Sequence, residues 1–204
     1  MTEERFLKLR TQLSERIGSR RFAHTLGVES AIVALGERYL PNDIQRLRIA
    51  ALLHDVTKEW PPEAQIEYCE RHKIPLSPEE RVIPRILHAK TGAFCARLEF
   101  AELTDPEITT AIARHTTGCR EMTVFDELLY LADYIEPTRT YPECRALRKA
   151  FFDGYEVASD RLRHLHATVR QALQMTVDEV RGRGGVVFHE TLEAMEWLDS
   201  ILHK

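Results

Sequence analysis

Apolar residues recur along this chain at the three- and four-residue steps of an amphipathic helix. Phe6, Leu9, Leu13 and Ile17 keep that rhythm near the start, as do Ile108, Ala111, Ile112 and His115 in the middle and Leu162, Leu165, Val169 and Ala172 late in the chain. Polar residues mark where helices begin. Asp43 precedes the run Ile44–Leu53, and Thr123 stands three residues before Asp126. Ser77-Pro78-Glu79-Glu80 sets a capping hydroxyl, a proline and a carboxylate in the order that closes a first turn, and Thr104-Asp105-Pro106-Glu107 does the same job. Breaks fall at Pro61-Pro62, Ile74-Pro75, Thr117-Gly118, Pro137, Pro142 and residues 182–185, while Pro84 predicts a short helix or a kink just before His88. Gly185-Val186-Val187-Phe188 could form a short extended piece. The pattern predicts an all-α fold. Five or more helices precede residue 134, residues 1–135 form a helical core, and residues 136–204 form a helical extension packed on the same domain.

A chain of 204 residues with 44% hydrophobic composition can bury one substantial core. Lys and Arg number 28 against 32 Asp and Glu, a formal charge of −4, which weighs against a dedicated nucleic-acid binder with a basic face. Cys69, Cys95, Cys119 and Cys144 lie far apart and form no CxxC pair. Nothing at residues 1–9 reads as a secretory leader, so free thiols in a reducing cytoplasm are expected. No uninterrupted apolar segment reaches the roughly 18 to 20 residues of a membrane span. These features point to a cytoplasmic monomer or homodimer with no stable nucleic-acid or membrane partner.

The informative residues are those that interrupt the apolar pattern. Ile49-Ala50-Ala51-Leu52-Leu53 runs directly into His54-Asp55, and Leu128-Leu129-Tyr130-Leu131-Ala132 runs into Asp133. An ionised carboxylate in such surroundings needs a pairing partner or a metal. A buried salt bridge or a helix-end carboxylate would explain His54-Asp55 alone. His88 and His115, each ending a helix-like segment, and His24 beside Leu26 complete a set of six candidates: His24, His54, Asp55, His88, His115 and Asp133. They lie far enough apart in sequence to occupy separate helices, which a bundle can bring together. Mixed imidazole and carboxylate donors suit iron, manganese or zinc better than magnesium. Asp55, with two oxygens, could bridge two metals. Lys58 follows His54 by one turn and can present its charge to a phosphoryl oxygen. Arg21, Lys90, Thr116, Thr117, Gly118 and Arg139 are further candidates for substrate contact, with helix termination the alternative role at 116–118. His72, His164, His166 and His203 neighbour basic residues and are expected to face solvent; His189 is ambiguous.

Arg21-Phe22-Ala23-His24-Thr25-Leu26-Gly27-Val28, Ala51-Leu52-Leu53-His54-Asp55-Val56-Thr57-Lys58 and Leu87-His88-Ala89-Lys90-Thr91-Gly92-Ala93 resemble successive motifs of the HD-domain superfamily. The resemblance is closer to its YqeK-like symmetrical bis(5′-nucleosyl)-tetraphosphatases. Its most specific segments are Ile112-Ala113-Arg114-His115-Thr116-Thr117-Gly118 and Leu131-Ala132-Asp133-Tyr134-Ile135-Glu136-Pro137, with Thr191-Leu192-Glu193-Ala194-Met195-Glu196-Trp197-Leu198 near the end. Val186-Val187-Phe188-His189-Glu190 departs from it, where a more polar histidine-proline segment is expected. The resemblance implies an HD-domain helical bundle with additional C-terminal helices. It also implies two transition-metal ions, typically iron, held by His24, His54, Asp55, His88, His115 and Asp133 with Asp55 bridging. The implied reaction is symmetrical hydrolysis of diadenosine tetraphosphate to two ADP by a metal-activated hydroxide, with Asp55 and Lys58 at the reacting centre. An HD-type mononucleotide phosphatase or cyclic-nucleotide phosphodiesterase could use the same residues, and a nucleotide-binding regulatory domain could retain them without turnover.

Overall fold

The computed structural model describes residues 1–203; Lys204, the last residue of the expected extension, lies outside the described residues. Among the described residues eleven α-helices follow one another: α1 (Glu3–Arg16), α2 (Ser19–Tyr39), α3 (Ile44–Leu53), α4 (Pro62–Arg71), α5 (Pro78–Val82), α6 (Leu87–Glu99), α7 (Pro106–Arg114), α8 (Val124–Ile135), α9 (Pro142–Val157), α10 (Arg161–Gly182) and α11 (His189–Leu202). A 3-10 turn at Pro84–Ile86 sits where proline was expected to interrupt the chain. No strand occurs among the described residues, and 185–188 is irregular backbone. The fold is all-α, a bundle with extra C-terminal helices.

Capping residues set most of the expected boundaries. Ser77 and Glu80 form a reciprocal capping box at α5, Thr123 and Asp126 form another at α8, and Asp105 accepts from the Glu107 and Ile108 amides at α7. Each satisfies amide donors that the first turn of a helix leaves unpaired. Asp43 does precede α3, but its carboxylate turns to Arg46 at 2.6 Å and leaves the helix start without a side-chain cap.

The most buried helix, α8, organises the bundle. Phe125 through Ala132 are all buried, because α2, α3, α7, α9 and α10 all pack against α8. One continuous hydrophobic core therefore runs from Phe6 and Leu13 through Leu128 and Leu131 to Leu165, Leu173 and Leu198. Polar ties reinforce the junction. His166 of α10 contacts the fully buried Glu127 carboxylate at 2.8 Å, and the Tyr130 and Tyr134 hydroxyls meet Thr176 of α10. Arg148 of α9 donates to the carbonyls of Ile135, Glu136 and Arg139. These lie at and just beyond the α8 C-terminus, where carbonyls lack helical partners and a cation is favourably placed.

The junction corrects the expectation that the outlying histidines face solvent. His166 is held against Glu127, the His164 Nε2–H donates to the Phe151 carbonyl at 2.8 Å, and His72 packs on the Tyr68 and Phe94 rings. Only His203 of that group is exposed. Their basic neighbours in sequence point elsewhere, because adjacent side chains on a helix diverge by about 100°. Leu162 departs in the opposite direction: Leu165, Val169 and Ala172 are buried, but Leu162 is 46% exposed at the start of α10.

We propose that residues 136–203 share one cooperative unit with the core. The two tryptophans, Trp60 beyond α3 and Trp197 in α11, report on the two segments separately. Single-tryptophan variants, Trp60→Phe and Trp197→Phe, should give the same denaturation midpoint. Leu165→Ala, at a fully buried site, should lower stability by about 2–5 kcal/mol in both. Two separate midpoints would instead divide the chain into independent units.

Candidate metal centre

The last turns of α3, α7 and α8 and the first turn of α6 aim their polar side chains at one buried point. His54 is the residue immediately after α3, His115 caps the end of α7, His88 opens α6, and Asp133 lies in the last turn of α8. His24, in the second turn of α2, enters from the side. Three of the imidazoles share a local device. The Nδ1–H of His54 donates to Ala51 O at 2.6 Å, that of His88 to Arg85 O at 2.8 Å, and that of His115 to Ile112 O at 2.7 Å. Each bond runs back three residues to a carbonyl released at a helix end or turn. Donation from Nδ1 leaves Nε2 as a lone pair, so each ring presents a metal-ligating nitrogen inward.

Those nitrogens surround Asp55. Its Oδ2 lies 3.4 Å from His54 Nε2 and 3.8 Å from His24 Nε2. Its Oδ1 lies 3.4 Å from His88 Nε2 and 3.5 Å from His115 Nε2. One carboxylate thus turns one oxygen to each of two histidine pairs. Two groupings have donor atoms close enough together to hold an ion: His24, His54 and Asp133, and His54, Asp55 and His115. Among the described residues, His24 Nε2, His54 Nε2 and Asp55 Oδ1 are buried without a hydrogen-bond partner. His24 Nε2 is 3.0 Å from Asp133 Oδ1, but not aligned for a hydrogen bond. Unpartnered polar atoms converging in a buried space are unfavourable unless a cation joins them. The donor set therefore fits a binuclear site.

His88 is in the cluster but outside both groupings. Lys58 Nζ approaches its Nε2 at 2.9 Å, the Thr116 hydroxyl also lies 2.9 Å away, and His115 Nε2 is 3.3 Å away. Burial raises the Asp55 carboxyl, but the surrounding imidazoles and Lys58 outweigh it and hold the group well below the carboxylate range. Asp133 has the same balance, with Arg139 and His24 opposing burial. Burial pushes the Lys58 ammonium down against the pull of Asp55 and Asp133. Burial also lowers His88 and His115, whereas at His24 the Asp133 and Glu136 carboxylates overcome burial and raise the imidazole to about 9.

Glu136 was not singled out among the site candidates. It is 1% exposed, its Oε1 lies 3.1 Å from His24 Nδ1, and it accepts from the Thr138 amide and hydroxyl, each at 2.6 Å. With Nδ1 held from behind, His24 keeps Nε2 toward Asp133 and Asp55. The sequence did carry a signal: an acid placed immediately before Pro137, at the end of the apolar α8 run. A β-carbon at Gly27 would come within 2.2 Å of Glu136 Oε2, so the close approach of α2 to this carboxylate requires glycine there.

The substrate candidates divide by position. A cavity of about 510 Å³ opens from the cluster and is lined by Lys58, Thr116, Thr117, Asp133 and Arg139. Arg139 donates to Asp133 Oδ1 at 2.6 Å, and Arg21 to Asp55 Oδ2 at 2.7 Å; Arg21 does not line this cavity. Lys90 turns away to Glu80 and the Pro75 carbonyl and lines a separate cavity. Gly118 sits in a left-handed turn at φ 67°, packed on Leu173 and Ala194. The four cysteines are free, and no described helix is long and apolar enough to cross a membrane.

Residues 21–138 match the HD domain family model. The chain is 31% identical over 198 residues to a symmetrical bis(5′-nucleosyl)-tetraphosphatase of Bacillus subtilis, covering 97% of each protein. A Staphylococcus aureus protein of the same name is 26% identical over 190 residues, covering 93% of this chain and 92% of that one. Among solved structures, a Clostridium acetobutylicum protein described as a predicted HD superfamily hydrolase involved in NAD metabolism superposes with a TM-score of 0.85 at 32% identity, over 96% of this chain and 97% of that one. A helical bundle with a binuclear histidine-aspartate cluster and matches that run nearly end to end have one common reading: the chain belongs to the HD-domain superfamily of hydrolases and is related to the symmetrical bis(5′-nucleosyl)-tetraphosphatases.

Proposed function

We propose that this chain hydrolyses diadenosine tetraphosphate symmetrically to two ADP. The observation that carries this reading is a relative bearing that activity in its name, matched over 97% of both chains, joined to a site that presents two groups of metal donors around one carboxylate. His24, His54, Asp55, His88, His115 and Asp133 would hold two transition-metal ions. Mixed imidazole and carboxylate donors suit iron, manganese or zinc. When bound, such ions supply an activated water and neutralise charge on the phosphoryl oxygens.

The chain's own residues do the rest. Asp55, with an oxygen toward each histidine pair, would be shared by the two ions. Glu136 holds His24 in the ligating orientation. Lys58 and Arg139 line the cavity and can take phosphoryl oxygens, while the Thr116 hydroxyl offers a further donor beside His88. Arg21 offsets Asp55 from outside the cavity and can reach toward phosphate from there. Symmetrical cleavage requires the tetraphosphate to lie with an inner phosphorus over the Asp55 cluster and an ADP as the leaving group.

Three measurements test this reading. Metal analysis of anaerobically purified protein should find two ions per chain, and Asp55→Ala should lose both; a variant still holding two ions removes the bridge. Lys58→Met should retain the metals yet lower kcat/KM by about 10²-fold, the loss typical of one transition-state charge donor. Unchanged kinetics would take Lys58 out of the reaction. With diadenosine tetraphosphate in oxygen-18 water, ADP should be the only initial product, and one of each two ADP molecules should carry the label. Primary ATP and AMP would overturn symmetrical cleavage, and a preference for mononucleotides or cyclic nucleotides would overturn the substrate. Metal-loaded protein that binds these nucleotides without turnover would indicate a regulatory domain.

A further inference from the structure

Three buried polar side chains stand apart from the metal donors: Thr57, Gln65 and Thr91, each no more than 3% exposed. They meet where residues 54–59, a run of turns between α3 and α4, pass the start of α6. Lys58 lies in that run, so no helix sets the direction of its side chain. Its Nζ nonetheless stands 2.9 Å from His88 Nε2 at the wall of the cavity. The aim of Lys58 has to come from whatever anchors the turns.

Thr57, the residue before Lys58, is that anchor. Its hydroxyl donates to His88 O at 3.0 Å and lies 2.9 Å from the hydroxyl of Thr91, three residues beyond His88 on α6. Gln65 of α4 closes the arrangement from the other side: its Nε2 donates to Thr57 O at 2.7 Å, and its Oε1 accepts from the Thr91 hydroxyl. The carbonyl fixes which way round the amide sits, because exchanging Nε2 and Oε1 would set two acceptors face to face. Gly92 lets the surfaces close, since a β-carbon there would come within 3.2 Å of His54 O and 3.4 Å of Thr57 Oγ1. One side chain therefore joins the backbone beside Lys58 to the helix that carries His88. A buried polar network whose members are all satisfied holds one geometry.

We propose that Gln65 is a positioning residue that acts through Lys58, holding its ammonium where a phosphoryl oxygen beside the Asp55 cluster can meet it. The proposal rests on the reading of Lys58 as the charge that meets phosphate. Gln65 reaches the cavity wall, but both polar atoms of its amide are engaged by Thr57 and Thr91, so it places Lys58 without touching substrate itself. Its removal leaves the neighbours with other partners: Thr57 O also accepts from the Trp60 amide at 3.1 Å, and the Thr91 hydroxyl has Leu87 O at 3.1 Å. What is released is the turn. A small displacement of a group at a reacting centre brings a large loss of rate.

A double-mutant cycle on the metal-loaded full chain tests this, with Gln65→Met, which removes both bonds on a stem of similar length, made with and without Lys58→Met. The readouts are kcat/KM for diadenosine tetraphosphate and equilibrium binding of pyrophosphate, beside metal content and the thermal midpoint. Gln65→Met should lower kcat/KM about tenfold in the presence of Lys58 and by less than about twofold in the Lys58→Met background, with pyrophosphate affinity following the same pattern at a smaller factor. Thr91→Val removes the other half of the clasp and should show the same dependence on Lys58, so the test survives if Gln65→Met does not fold. Equal losses in both backgrounds would overturn the proposal, because they would mean direct substrate contact or a general loss of structure. Loss of a metal ion in Gln65→Met would overturn it too, by placing the effect at His88, as would Lys58→Met or Gln65→Met without effect on either readout. Protein that does not turn over diadenosine tetraphosphate would defeat the substrate reading and leave the pyrophosphate cycle to decide the role of Gln65.

Discussion

Asp55 is buried in a helical core and Asp133 half-buried beside it, where an unpaired charge costs several kcal/mol. Everything near them answers that constraint. Arg21 and Arg139 each donate to one of the two, His24 sits between both, and three imidazoles are locked by backbone carbonyls with their lone pairs facing Asp55. Arginines offset part of the charge, yet the inward nitrogens of His24 and His54 and one oxygen of Asp55 are still unpartnered. A bundle that directs this many donors to one buried point is organised for cations. That preorganisation is the feature from which hydrolytic chemistry follows.

The same constraint gives the C-terminal helices their place. Asp133 and Glu136 lie at the end of α8, so any fraying there would scatter two carboxylates of the site. Arg148 of α9 gathers the carbonyls at that end, and Tyr130 and Tyr134 are tied to Thr176 of α10. The helices beyond residue 135 thus brace the metal-donor face of α8 and, through the 184–188 crossing, form one wall of the cavity.

Much of this was legible in the chain itself, because the signals are local. A capping hydroxyl and a carboxylate three residues apart specify a helix start wherever they occur, as Ser77 with Glu80 and Thr123 with Asp126 do here. An acid directly after an apolar run, as at His54-Asp55 and Asp133, is conspicuous because burial demands compensation. Contacts across long sequence separation left no comparable trace. Glu136 behind His24 spans 112 residues, and the inward turn of His166 toward Glu127 depends on the angle at which α10 crosses α8. Lys90 follows His88 by two residues and so projects to another face, reaching Glu80.

The sequence by itself determined the helices, most of their boundaries and the residue types able to bind metal, since these follow from periodicity, capping and the cost of burying charge within a few residues. Only the tertiary structure decided which oxygen of Asp55 faces which histidines, that Lys58 and Thr116 meet at His88, and that 83–86 and 186–188 wall one cavity. Those outcomes depend on helix crossing angles and on the path of a loop. Both are set by packing the whole core together, and no local stretch of chain encodes them.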